Sequence, residues 1–232
     1  MNYIKHIVLV AFTISFVTLS NAQHRRYTIK NGFALGGGIT QFDINTNNFN
    51  TTAGNGWLIS SSATGDLPNK WYNISYGLQI SSNSIEFSGY ETDIDLVGDK
   101  QVEYDIMAVQ LALLFHVKAV PNLLTIDVGP MIQYNGKLDL SSNNEENLYV
   151  YLNNGNSVLA KEIEEISQIN ANGAIGATIG LGAFKFRAQY IYGFTNILNK
   201  LNDNVTEIGP HSGNSDFKGN QSMLNFMALI TF

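Results

Sequence analysis

The side chains best suited to chemistry in this sequence are His116, Asp127, Lys118, Lys185, Arg187 and Glu86. Each lies in a stretch where apolar and polar residues alternate, which puts each on the polar face of a strand. A tight turn centred between residues 121 and 122 makes facing residues sum to 243, so His116 stands opposite Asp127. A second turn at 182–183 sets Thr178 against Arg187 and Gly180 against Lys185, and a turn at 81–83 would set Glu86 against Gln79. An imidazole beside a carboxylate and several cations can relay protons or hold a charged solute. The same set can also fill a narrow lumen with paired charge, because eight strands leave an interior only wide enough for side chains. A buried charge must be paired or hydrogen-bonded, and pairing accounts for these six. The cluster is expected to be structural.

Other candidate chemistry is sparse. His211 stands beside Ser212 with Glu207 nearby, but neighbours in sequence make no triad without geometry, and the surrounding segment is rich in Gly and Asn. The run Gly36–Gly38 lacks the strand–turn–helix setting of a phosphate loop. With no cysteine, thiol catalysis and Cys-ligated metals are excluded, and no other metal spacing appears. Glu91, Asp93, Asp95 and Asp99 form one acidic tract, and Glu145, Glu146, Glu162, Glu164 and Glu165 a second. These could bridge divalent cations at a lipopolysaccharide surface, although solvated loop charge explains them as well. No catalytic residue, cofactor or metal site is expected.

The elements that position these residues follow from period two. Eight strands are expected, near 32–42, 71–81, 84–90, 106–118, 123–138, 167–183, 184–196 and 222–232. In 123–138 the even positions run Leu124, Ile126, Val128, Pro130, Ile132, Tyr134, and the odd ones include Asp127, Gln133 and Asn135. Short connections at 81–83, 120–122 and 182–183 alternate with long ones at 43–70, 91–101, 139–165 and 199–221. Short periplasmic turns alternating with long outer loops characterise outer-membrane barrels. The register supports the pairing, with Phe115 facing Val128, Leu111 facing Ile132, Ile179 facing Phe186 and Ile175 facing Tyr190. A slip of one residue would scramble every such pair. Residues 158–166 are expected to form one or two helical turns, and Pro130, unable to donate to a ladder, to mark a bulge or kink facing lipid.

Aromatics sit at the ends of the apolar faces, and the polar faces are rich in Gly, Ala, Asn and Gln, which suits a crowded lumen. The fold class is therefore all-β: an eight-stranded antiparallel up-and-down transmembrane β-barrel with short periplasmic turns and long extracellular loops. The 232 residues carry 13 basic and 19 acidic side chains, a formal charge of −6, so no nucleic-acid partner is expected. The hydrophobic fraction of 44% excludes a disordered chain. Residues 1–22, with Lys5, the run Ile7–Leu19 and the small residue Ala22, read as a cleaved signal peptide. Residues 23–30 would be a short periplasmic segment and 31–232 the barrel. The partners implied are outer-membrane lipid and lipopolysaccharide, and the barrel-assembly machinery during insertion.

Leu124–Tyr134 (LTIDVGPMIQY), Ala188–Ile197 (AQYIYGFTNI) and a terminal strand ending on Phe232 resemble the PorT-like outer-membrane β-barrel family of Bacteroidota. The resemblance spans about 31–232 and its motifs specify a barrel, not a reaction. It implies a non-catalytic outer-membrane protein with a structural or surface-binding role, or an accessory of type IX secretion and gliding with secretion-system partners. A small-solute pore is the remaining alternative.

Overall fold

The computed structural model describes residues 30–67, 70–91, 100–142, 145–205 and 216–232. The expected signal peptide, residues 23–29, and His211, Ser212 and Glu207 lie outside them. The strands are β1 (Lys30–Thr46), β2 (Thr51–Asp66), β3 (Tyr72–Tyr90), β4 (Lys100–Val120), β5 (Leu124–Leu140), β6 (Tyr149–Tyr151), β7 (Ser157–Leu159), β8 (Ile169–Leu181), β9 (Phe184–Gly193) and β10 (Gly219–Thr231). Eight of them form a closed antiparallel ring, β1-β2-β3-β4-β5-β8-β9-β10, with β10 returning to pair with β1. Every ring neighbour is also a neighbour in ring order along the chain, so the barrel is up-and-down. Closure leaves no exposed sheet edge in the ring.

The expected ring size is found, but with two compensating corrections. Residues 51–66, expected within a long loop, are β2. Residues 81–83, expected as a turn between two strands, lie in the middle of the single strand β3. β2 is hidden because its sequence, TTAGNGWLISSSATGD, puts only Trp57, Ile59 and Ala63 as apolar groups on its outer face. Gly54 and Gly56 look like turn residues but have another use. A Cβ at either would come within 2.2 Å of a β3 carbonyl, of Ser84 or of Ser82, beside a register shift between Ala53 and Gly56.

β3 resembles two strands in sequence because its faces exchange chemistry without exchanging direction. Odd positions point inward throughout: Ser75, Gln79, Ser81, Asn83, then Ile85 and Phe87. Even positions point outward: Tyr76, Leu78 and Ile80, then Ser82, Ser84, Glu86 and Ser88. β4 does the same in reverse order, with Val102, Tyr104 and Ile106 buried at one end and Gln110 and His116 buried at the other. The outer face is therefore apolar over one band and polar beyond it. Phe33, Ile39, Trp57, Tyr76, Leu111, Ile132, Ile175, Phe186 and Phe226 stand exposed in that band. Polar residues buried inside and apolar residues exposed outside are the reverse of a soluble core.

The strand ends that flank 67–71, 121–123 and 182–183 lie at one end of the ring, with Thr231 beside Ala34. The strand ends that flank 47–50, 91–99, 141–168 and 194–218 lie at the other. The hairpins have the expected register, including His116 opposite Asp127, Leu111 opposite Ile132 and Thr178 opposite Arg187. Pro130 makes no bulge. The β4–β5 pairing skips its rung and resumes at Ala112–Met131 in the same register, while shifts occur at Ile106/Ala108 and Lys118/Val120.

Candidate functional site

The interior divides into three layers along the barrel axis. At the long-loop end it is apolar. Phe42, Ile44, Ile85, Phe87, Tyr104 and Leu138 from the barrel meet Leu148, Val150, Val158, Ile163, Ile166, Ile197, Leu201 and Phe217 from the loops in one buried cluster. The hairpin β6–β7 is joined to β3 through Gly89–Val150, and Phe49 bridges to Leu152. Phe49 packs edge-on against Phe87 at 5.3 Å and stacks on Phe217 at 5.6 Å. The 3-10 turn Ala160–Glu164, on the segment expected to be helical, is pinned where the Tyr104 hydroxyl donates to the Ala160 carbonyl at 2.8 Å. These loops thus fold into a cap with a core of the soluble kind, each large side chain contributing about 1.5–3 kcal/mol on burial.

Two of the acidic residues serve this cap. Glu165 bonds Lys137 at 2.6 Å and stands 3.6 Å from Lys200. Its hydrogen bond from Lys137, and the charge of that lysine, hold its carboxyl below the usual carboxylate range. Glu145 accepts from the Glu103 backbone N–H at 3.2 Å. In the first tract, Glu91 pairs with Lys100.

The middle layer is made of amides, with the buried apolar side chains Ala112, Leu114 and Met131 between it and the charged layer. Gln133 accepts at Oε1 from Gln110 at 2.6 Å and from Asn172 at 2.8 Å. It also exchanges hydrogen bonds of 2.8 Å with Gln221, which reaches it from β10 on the other side of the ring. Thr40 donates to Asn83 at 2.5 Å, spanning β1 to β3. The gap left among Phe42, Gln110, Gln133, Gln221 and Met223 has no room for a water-sized sphere. Side-chain bonds across the lumen close it at this height.

The charged layer lies towards the short turns. Asp127 is fully buried and accepts from His116 Nδ1 at 2.7 Å, from Thr125 at 2.7 Å and from Thr178. Arg187 Nε stands 3.3 Å from the same carboxylate and donates to Thr178 at 2.9 Å. An ionised carboxylate only accepts, so Nδ1 of His116 carries the proton, and Nε2 meets the Ser75 hydroxyl at 2.6 Å. Lys118 pairs with Asp66 at 3.0 Å. Ser75, His116 and Asp127 stand in the hydrogen-bond order of nucleophile, base and orienting carboxylate. Yet Ser75 is only 2% exposed and is not on the wall of the adjoining cavity, and the chain of bonds disperses the Asp127 charge.

Five of the six expected site residues thus occupy one end of the lumen. The sixth does not. Glu86 points outward on β3, opposite Thr52 and Glu103 rather than Gln79, because 81–83 is strand and not turn. Ser75 and Asp66 were missed for the same reason, since their partners depend on placing β2 and β3 in the ring.

A closed antiparallel ring with an apolar belt outside and buried polar groups inside is a transmembrane β-barrel. No family model matches this chain, and no curated protein does. Among solved structures it is similar to Neisserial surface protein A, with 10% identity over 86% of this chain and 97% of that one, at a TM-score of 0.45. It is similar also to Ail, the attachment invasion locus protein of Yersinia pestis, with 12% identity over 87% and 100%, at a TM-score of 0.38. The translocator domain of autotransporter NalP from Neisseria meningitidis matches at 11% identity over 96% and 95%, with a TM-score of 0.27. Likeness at this level says nothing of binding or activity.

Proposed function

We propose that this protein is a non-catalytic, non-conducting barrel of the outer membrane that displays a folded cap at the cell surface. Its partners would be outer-membrane lipid and lipopolysaccharide, with the barrel-assembly machinery acting during insertion. The observation that carries this reading is the closure of the lumen by the Gln133–Gln221 bridge beneath an apolar cap. A pore needs a continuous wet path, and side-chain packing of this kind gives none. In planar bilayers the purified protein is expected to show only sporadic, low conductance. A steady channel admitting sugars would contradict the proposal.

The structural or surface-binding role rests on the cap, whose loops are tied to the barrel by backbone bonds such as Ile197 N–H to the Gly219 carbonyl of β10 at 2.9 Å. Such order is more than a connection requires. The finer PorT-like assignment, with a place in type IX secretion, rests on strand motifs alone. A deletion strain assayed for cargo secretion and for gliding tests it: loss of either assigns the accessory role, and normal secretion and gliding leave the surface role.

A further inference from the structure

We propose that the short-turn end of the barrel holds a binding site for an oxyanion group, a phosphate or a carboxylate, between Lys185 and Arg187. A cavity of about 420 Å³ opens there, lined by Lys118, Lys185, Arg187, His116, Asp66 and Thr178 among others. It falls within the size range of small-molecule sites, and the amide layer above it makes it blind.

Cations outnumber carboxylates on its wall. Three permanent cations line it against the Asp66 side chain, which is taken by Lys118, and the terminal carboxylate of Phe232, which forms no ion pair with Lys185 or Arg187. Asp127, which is not on the wall, is already met by His116, Thr125, Thr178 and Arg187. Lys185 has no ion-pair partner among the described residues. Arg187 is 8% exposed, and of its donors only Nε makes a hydrogen bond among those residues. A guanidinium has five N–H donors, so its outer nitrogens remain to be satisfied from the cavity it lines.

The two side chains project from the same face of β9, two residues and about 7 Å apart. Room for Lys185 is provided by Gly180, where a Cβ would come within 2.7 Å of the Lys185 side chain. In a blind cavity of low dielectric, unpaired cations attract an anion far more strongly than on an open surface. A planar or tetrahedral oxyanion can accept from both at once. None of this depends on the cap or on its role at the surface.

The test uses the chain from residue 23 onward, folded in detergent and titrated calorimetrically at low salt with inorganic phosphate and, separately, with succinate. Saturable binding that weakens as salt rises is expected, and the tighter of the two probes tells a phosphorylated ligand from a carboxylate one. Lys185→Gln is expected to weaken binding by about tenfold or more, the loss of one charge-assisted contact. Lys118→Gln should weaken it less, since Lys118 already has Asp66. Lys218→Gln, at the opposite end, should leave it unchanged. Gel mobility before and after heating verifies that each variant is folded. Failure of both anions to bind saturably, or an unchanged affinity in folded Lys185→Gln, would overturn the site.

Discussion

Asp127→Ala is expected to lower the stability of the folded barrel by about 3–5 kcal/mol, the cost of leaving a buried charge without its partner. The carboxylate receives His116, Thr125 and Thr178 and neutralises Arg187. Without it, Arg187 stays buried as a cation and two hydroxyls lose their acceptor. Replacing both partners, Asp127→Leu with Arg187→Leu, should recover much of the loss, because a well-packed apolar pair avoids both desolvation costs. Urea titrations in lipid vesicles, read by gel mobility, measure all three. If the single and double variants were equally unstable, the charged layer would not be held together by this pair.

The second large effect concerns the outer face. Ile132 is 62% exposed and faces out between Leu111 and Ala171. Ile132→Arg puts a charge against the acyl chains and should cost about 2–4 kcal/mol near the midplane. Asn45→Arg places the same charge on the same outer surface beyond the apolar band and should change stability by no more than about 0.5 kcal/mol. Equal costs at the two heights would mean that no membrane covers the band. Gln133→Arg is a poorer control than alternation alone suggests, because Gln133 is the hub of the amide layer and an arginine there has no room.

The sequence was most informative where a strand crosses the apolar band from end to end. β5, β8 and β9 show strict alternation, and the register of both their hairpins followed from two short turns. It was least informative where a strand leaves that band. In β3 the apolar face moves from Ile80 outside to Ile85 inside, and a change of phase looks the same as a turn when the environment of each face is unknown. β2 failed differently. Its inward face of Gly54, Gly56, Leu58, Ser60 and Ser62 carries a single large apolar side chain, too little hydrophobic signal to mark a strand, since most of it serves close approach and hydrogen bonding rather than apolar bulk. The lumenal charges were found because they sit on the clear strands; Glu86 was misplaced and Ser75 and Asp66 were missed because they sit on the two unclear ones. The cap was not legible, because its buried positions are scattered over segments far apart in sequence that meet only once the ring is closed.

The central claim, that the apolar band spans a bilayer, is tested most directly by the two natural tryptophans. Trp57 faces outward at the edge of the band nearest the long loops, opposite Ser82, and Trp71 stands exposed at the short-turn end beside Tyr72. Eleven residues of chain separate Ser82 from Trp71, about 28 Å of height at the usual rise and tilt, close to the span of an apolar belt with aromatics at both interfaces. Tryptophan fluorescence should therefore be quenched when the protein is refolded into vesicles of brominated lipid. Bromines placed high on the acyl chains should quench more than bromines placed near the bilayer centre. Absence of quenching by either lipid, together with a monodisperse β-rich protein in plain buffer, would contradict the membrane barrel.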